Sequence, residues 1–345
     1  MELYFVKIAE IVIKIPQINE VSKRIINDLN AKKGNDTDRY DICINVSNDL
    51  GKYRPLIYPA KGSMNFNEKE YFVNYLSSIN YVVSNLFNND CINIEVNLKN
   101  RSLKTIINSF FQSKSVFQSN EILSYSLFWY VLHLKLLQKG KAFLHAGIFS
   151  SNNKASIIAG TGGCGKTSTL FKILEDKSTK YISEDFGIID IESYSHYSPK
   201  PVSIYASDME FGQKILHDYF NIFSKIEKML WLVRRNILRR NPMIKANVNT
   251  LMNNRTSTKT KIENVIYFVR NSDTKITISD ISLEEIVERI LDASMRELKT
   301  LNELIMLIRA NAPLGYDIPS VDNIREETKE VYLKAFSTTN NKILY

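Results

Sequence analysis

The stretch Ala155-Ser156-Ile157-Ile158-Ala159-Gly160-Thr161-Gly162-Gly163-Cys164-Gly165-Lys166-Thr167-Ser168 decides how this chain is read. Its second half has the spacing G-x-x-x-x-G-K-[ST], which needs a strand before it and a helix after it. Ala155 to Ala159 is a short apolar run, and Lys166 to Leu174 has helical patterning, so both contexts are expected. The residue types follow from the chemistry. Backbone N–H groups of Gly162 to Thr167 have to face inward around phosphate oxygens, which asks for dihedrals that glycine adopts at little cost. The helix opening at Lys166 turns its positive end to the same phosphates. Lys166 reaches the β- and γ-phosphates as a point charge, and the Thr167 hydroxyl completes a Mg²⁺ shell. The expected cofactors are ATP, or another nucleoside triphosphate, and Mg²⁺. The expected binding residues are Gly160, Gly162, Gly163, Cys164, Gly165, Lys166, Thr167 and Ser168. The competing reading is a Gly-rich turn with a surface lysine.

Working outward, Ala142 to Phe149 is a second apolar run, separated from the first by the turn-like Ser150-Ser151-Asn152-Asn153. Two strands joined by a tight turn fit best, and His145 lies in the first. A lone histidine on an apolar strand is more often a core residue, but its place upstream of a phosphate loop makes it a catalytic candidate. His133, His196 and His217 have no local motif and are read as structural or surface residues. Downstream, Tyr181 to Ser183 and Phe186 to Ile191 read as short strands flanking Glu184-Asp185. Two adjacent acids at a strand end divide the labour of phosphoryl transfer, one holding Mg²⁺ and the other accepting a proton. Side chains of neighbours on an extended segment face opposite ways, so the pair works together only if the chain bends there.

Length and composition bound the rest. The 345 residues suffice for one large or two modest domains, and 44% apolar with 24% charged residues excludes a disordered chain. No uncharged apolar run reaches roughly 18 residues, so no membrane-spanning helix and no membrane partner are expected. Glu2, Lys7, Glu10 and Lys14 interrupt the N-terminal apolar run, which reads as a strand rather than a secretory signal. Cys43, Cys91 and Cys164 are far apart and make neither a disulfide framework nor a metal spacing, which predicts reduced thiols in a cytoplasmic protein. Between Lys225 and Lys275 stand twelve Lys and Arg against three acids, a local +9 that leaves the rest of the chain near −1. Such a block wants an anionic partner or is a solvated face. Arg234, Arg235, Arg239 and Arg240 are expected on one broad helical face, and Lys200 and Arg255 are candidates to neutralise phosphoryl charge.

Beyond the loop, strand-like alternation covers Glu2 to Ile15 and Cys91 to Leu98, and Ala31 to Asp38 reads as an exposed connection. Helical spacing covers Lys69 to Phe87, Glu121 to Lys139, most of Asp208 to Arg240, Ser282 to Ala310 and Asn323 to Phe336. Ser282 is the expected cap of the fourth of these, and Ile262 to Arg270 reads as a buried strand.

Leu144-His145-Ala146-Gly147-Ile148, the loop Gly160 to Thr167, and Ile182-Ser183-Glu184-Asp185 together resemble the catalytic domain of HPr kinase/phosphorylase, which shares the phosphoenolpyruvate-carboxykinase type of phosphate loop. The order matches too: strand with histidine, turn, strand, loop, helix, strand ending in two acids. Pro199-Lys200-Pro201-Val202 also looks like a segment of such proteins, and the resemblance covers roughly residues 120–270. It implies an α/β P-loop catalytic domain over 116–280, after a divergent α+β region over 1–115 and before a helical segment over 281–345. It implies Lys166, Glu184, Asp185 and His145 as catalytic residues: Glu184 at the family's proton-accepting aspartate, His145 near the transferred phosphate. Thr167 and Asp185 would be the metal ligands. Glu184 departs from the family's aspartate by one methylene, and the family's glutamate-arginine-glycine element is not found in this chain. HPr-kinase-like proteins that phosphorylate a peptide serine look closer, since Ser126 to Ala146 resembles their leucine-rich helix and Leu-His-Ala strand.

The expectation is therefore an ATP- and Mg²⁺-dependent kinase acting on a hydroxyl, a serine of a protein or peptide, with an acidic substrate suiting the basic block and a homo-oligomer left open. A small-metabolite kinase of the same fold is one alternative. A nucleotide-responsive binding module, with nucleic acid as its partner, is the other.

Overall fold

The computed structural model describes residues 1–35, 39–47, 64–66, 70–76, 79–87, 91–98, 126–206, 214–221, 225–237, 239, 241, 243–270, 276–312 and 317–345. It is mixed α and β throughout, and the chain divides into two units, 1–135 with 311–318 and 136–310 with 319–345.

The first unit is built on an eight-stranded sheet. Its strands are β1 (Glu2–Ile8), β2 (Ile11–Gln17), β3 (Lys32–Lys33), β4 (Ile42–Ser47), β5 (Met64–Phe66), β6 (Glu70–Leu76), β7 (Ile79–Ser84) and β8 (Ile92–Leu98), with helix α1 (Glu20–Leu29) after β2. The spatial order is β3-β1-β2-β4-β8-β7-β6-β5. Two expectations change here. Glu2 to Ile15 holds two antiparallel strands rather than one, turned at Ala9 (φ 47°) and Glu10 (φ 74°). Lys69 to Phe87 is not a helix: Glu70–Leu76 and Ile79–Ser84 pair antiparallel, and β7 goes on to pair with β8. Apolar pairs in short runs suit either period, and the aromatic and β-branched composition favours the pleated one. Of the exposed connection read at Ala31 to Asp38, two residues form β3 and residues 36–38 lie outside the described chain.

Helix α2 (Ser126–Leu137) falls within the helix expected over Glu121 to Lys139, whose first five residues lie outside the described chain. Gly140 (φ 64°) donates its N–H to Leu137 and stops the helix, as glycine does best.

The second unit holds the phosphate loop. The long strand β9 (Lys141–Ser151) is its spine. One half pairs with β10 (Lys154–Gly160), the other with β12 (Phe186–Asp190), and β11 (Lys180–Ser183) pairs with β9 alongside β12. Strand β13 (Tyr194–His196) joins β12 to β16 (Lys259–Phe268), and β16 pairs in parallel with β10. The pairings close into a ring, which β18 (Asn340–Leu344) and β17 (Ile278–Asp280) extend from β16. The ring is lined by near-continuous apolar runs, with Phe143, Leu144, Ala146, Ile148, Ile157, Ile158, Ile188 and Val265 all buried.

Helix α3 (Lys166–Ile173) follows the loop and packs on β9 and β10. A separate two-stranded ribbon pairs β14 (Val202–Tyr205) with β15 (Met243–Ala246). Within Asp208 to Arg240 the described helices are α4 (Lys214–Asn221) and α5 (Lys225–Leu232), the latter running into a π-turn over Val233–Ile237. Helix α6 (Val248–Met252) precedes β16.

Ser282 does cap a helix, accepting from the N–H of Glu285, but the long helix expected to Ala310 is two: α7 (Leu283–Glu297) and α8 (Lys299–Asn311). The break at Leu298 has no glycine or proline to announce it. The Asn302 amide captures the Met295 carbonyl at 3.2 Å beside the break. Helix α9 (Val321–Phe336) starts at a capping box of Ser320 and Asn323. Helices α7 and α9 pack on β9, and the chain after them returns to the sheet as β18. The segment over 281–345 is thus more than helical. Among the described residues, no helix is long and apolar enough to cross a membrane.

Candidate active site

Strand β10 delivers the chain into the loop, and α3 leaves it. Gly160 (φ 148°) has no room for a side chain: a Cβ there would stand 2.6 Å from the Phe268 carbonyl oxygen and 2.8 Å from Cys164 Sγ. Gly163 (φ 81°) and Gly165 (φ 94°) have open space, so only their left-handed backbone requires glycine. Gly165 is the N-cap of α3 and supplies no side-chain cap, which leaves the helix's first N–H groups open toward the loop. Lys166 is buried and donates to two carbonyls of its own loop, Gly160 at 2.8 Å and Thr161 at 3.0 Å.

The bend required at Glu184-Asp185 is present. β11 ends at Ser183 and β12 begins at Phe186, while the register on β9 slips between Tyr181 and Ser183. The two acids occupy the interruption. His145 stands opposite Phe186 on β9, and the Ala146 N–H donates to the Asp185 carbonyl at 3.2 Å.

The two carboxylates have different company. The Thr167 hydroxyl donates to Glu184 Oε1 at 2.7 Å. Partial burial first, and the Asp185 charge second, push the Glu184 pKa up to about 7. Asp185 accepts from His145 Nδ1 at 2.8 Å through one oxygen and from Lys200 Nζ through the other. Burial works most strongly against its charge, but the Lys200 ammonium and His145 together outweigh it and hold Asp185 well below the usual carboxylate range. Lys200 also lies 3.6 Å from the centre of the Phe186 ring.

His145 is itself held from behind. Its backbone N–H donates at 2.9 Å to Ser294 Oγ on α7, whose hydroxyl donates on to Ile290. One residue pair along β9, the Tyr332 hydroxyl on α9 donates to the Phe143 carbonyl. With Nδ1 on Asp185, His145 Nε2 is buried without a partner.

A cavity of about 550 Å³ collects these groups. Gly162, Gly163, Gly165, Lys166, Thr167 and Ser168 line one side; His145, Glu184 and Asp185 also line it. Gly160 and Cys164 belong to the loop but are not among its lining residues. The geometry therefore brings together the loop and the three acid–base candidates. It places Thr167 against Glu184, whereas the expected metal partner of Thr167, Asp185, is engaged by His145 and Lys200.

Arg255 does not reach the site. Its guanidinium donates to the carbonyls of Leu174, Asp176 and Thr179, bracing the turn after α3. The basic block is likewise dispersed. Arg234 is buried at 2% exposure, Arg235 lies over Trp231, Lys261 donates to the Glu192 carbonyl, and Lys259 approaches Asp190. Arg240 lies outside the described residues. The buried Arg234 breaks the broad basic face expected of this stretch.

Sequence reasoning missed the ribbon. Ser203 and Tyr205 on β14 line the cavity, with Asn241 and Glu297. Lys245 on β15 donates to Ser203 Oγ. No local motif marks them, because strand pairing across 42 positions makes the contact.

No protein-family model matches this chain, and no curated protein matches it.

Proposed function

We propose that this chain is a nucleoside-triphosphate- and Mg²⁺-dependent kinase with an HPr-kinase-like catalytic domain, transferring the γ-phosphoryl group to a serine hydroxyl of a protein or peptide. The observation that carries the reading is the meeting of the phosphate loop with Glu184, Asp185 and His145 at one cavity. Phosphoryl transfer asks a protein mainly for positioning and charge stabilisation, and these groups offer both. Three free thiols agree with a cytoplasmic setting.

Among the described residues, no cluster of three or more His, Cys, Asp and Glu side chains could hold a metal alone. Mg²⁺ needs no such cluster, since it is held through one or two protein oxygens together with phosphates and water. The Thr167 hydroxyl and the Glu184 carboxylate, 2.7 Å apart, are the oxygens that would hold it. Asp185, the metal ligand that the resemblance implies, is engaged here by His145 and Lys200. Bound there, the ion would supply charge neutralisation for the phosphates.

The chain's own groups have distinct tasks. Lys166 exchanges its loop carbonyls for phosphate oxygens, joining the uncapped N-terminus of α3. Asp185 fixes the orientation of the His145 ring through Nδ1, beside the loop. Lys200 keeps Asp185 ionised, and Ser294 holds the strand from which His145 projects.

The test is incubation with γ-labelled ATP, Mg²⁺ and serine-containing peptides. The expected result is label on peptide serine. Label released only as inorganic phosphate would sink the reading.

A further inference from the structure

We propose that the chain carries an acceptor hydroxyl of its own: Ser203, hydrogen-bonded by Lys245, takes the γ-phosphoryl group of the bound nucleoside triphosphate in cis. This rests on the kinase reading above and adds the acceptor side of the same cavity.

The ribbon geometry carries it. Ser203 stands directly opposite Lys245 in the β14–β15 register, so both side chains leave the same face of the ribbon. Tyr205, two residues on, shares that face, and both Ser203 and Tyr205 line the cavity. Four hydroxyl-bearing residues line it: Thr167, Ser168, Ser203 and Tyr205. Thr167 and Ser168 belong to the helix that holds the phosphates, and Thr167 is bonded to Glu184. Ser203 comes from a separate element, and the Lys245 amine bonds its oxygen.

The amine is suited to that position. Burial first, and the Lys200 charge second, lower the Lys245 pKa to about 8, with Asp185 and Glu184 pulling the other way. A lysine in that range is neutral often enough to act as a base. A purely structural ribbon contact would be served by a neutral side chain, without setting a second ammonium near Lys200.

In the transfer, the bond between Ser203 Oγ and the γ-phosphorus forms as the bond from that phosphorus to the β,γ-bridging oxygen breaks. The nucleoside diphosphate leaves. The hydroxyl proton passes to the neutral Lys245 amine, and the resulting ammonium faces the new phosphoserine as its counter-charge.

The experiment uses the full chain with Mg²⁺ and γ-labelled ATP and no peptide, followed by mass-spectrometric mapping. One phosphate on Ser203 is expected, formed at a first-order rate independent of protein concentration. Ser203→Ala abolishes the label, and Ser203→Thr restores it as phosphothreonine at the same position. Lys245→Met slows labelling on the order of 10²-fold. Equilibrium dialysis against Mg²⁺ and ATP separates the two levels. Wild-type protein that binds the nucleotide yet leaves Ser203 unmodified overturns this inference alone. A rate that rises with protein concentration overturns transfer in cis, and wild-type labelling by Lys245→Met overturns the role of the amine. Wild-type protein that binds no nucleotide overturns the kinase reading and this inference with it.

Discussion

Lys166 is bonded to the carbonyls of Gly160 and Thr161, so the phosphate-binding lysine closes its own loop. A phosphate has to compete with two neutral acceptors, and an anion wins because a charge-assisted hydrogen bond is about twice as strong. Lys166→Met is expected to lower affinity for Mg²⁺ and ATP by at least about tenfold, from a loss of ~1.5–3 kcal/mol per charged hydrogen bond. Titration calorimetry measures it. The loop glycines separate two kinds of constraint. Gly163→Ala meets open space and should cost only the left-handed backbone, ~1–2 kcal/mol. Gly160→Ala adds a collision with the Phe268 carbonyl and should destabilise more. Urea unfolding of both variants checks the order, and equal losses would contradict it. Asp185→Asn keeps the shape but removes the charge facing Lys200 and His145. Transfer to a peptide should then fall roughly 10²-fold, the usual range for disabling an acid–base group.

Elements position these residues from outside the cavity. Helix α7 holds His145 through Ser294, whose hydroxyl accepts from the His145 N–H and donates to Ile290. Ser294→Ala leaves that N–H without its acceptor, a loss of ~1–3 kcal/mol in unfolding free energy. Transfer should fall as well, because His145 loses its anchor, while nucleotide affinity holds. An undiminished transfer rate would show that β9 needs no such support. The elements also show where local patterning stops. The alternation in β9 and β10 and the cap of α7 could be read directly. The break at Leu298 could not, since buried Leu298 fits either one long helix or two. Lys69 to Phe87 fits a helical wheel, and pairing with β8 decided against it.

Across the whole molecule, charge and protonation divide between the two units. In the first, burial alone pushes the His133 pKa down to about 3 from an ordinary 6.5. Above 6.5 the folded and unfolded chains are both neutral there. As pH falls from 6.5 toward 3, the unfolded chain takes a proton that the folded chain refuses, so stability is lost on acidification. The urea midpoint should drop between pH 7.5 and 5, and less so in His133→Phe. In the second unit, the basic block that suggested one anionic surface is taken apart. Arg234 goes into the interior, Arg255 to a turn, Lys245 to Ser203 across the ribbon, and Lys259 and Lys261 to β13 and its turn. Net charge along a chain is a sum, and only folding decides where each charge is displayed. The sequence by itself determined the strand-loop-helix of Gly160 to Thr167, because glycine dihedrals and a lysine at the loop's end are local requirements. It also carried His145 and the two acids, since each adjoins a short apolar strand. Only the tertiary structure decided which acid meets Thr167 and which meets Lys200, because a one-residue slip of β11 on β9 sets that choice. The tertiary structure alone also brought Ser203 to the cavity and Lys245 to Ser203, since cross-strand pairing leaves no periodic trace in either strand.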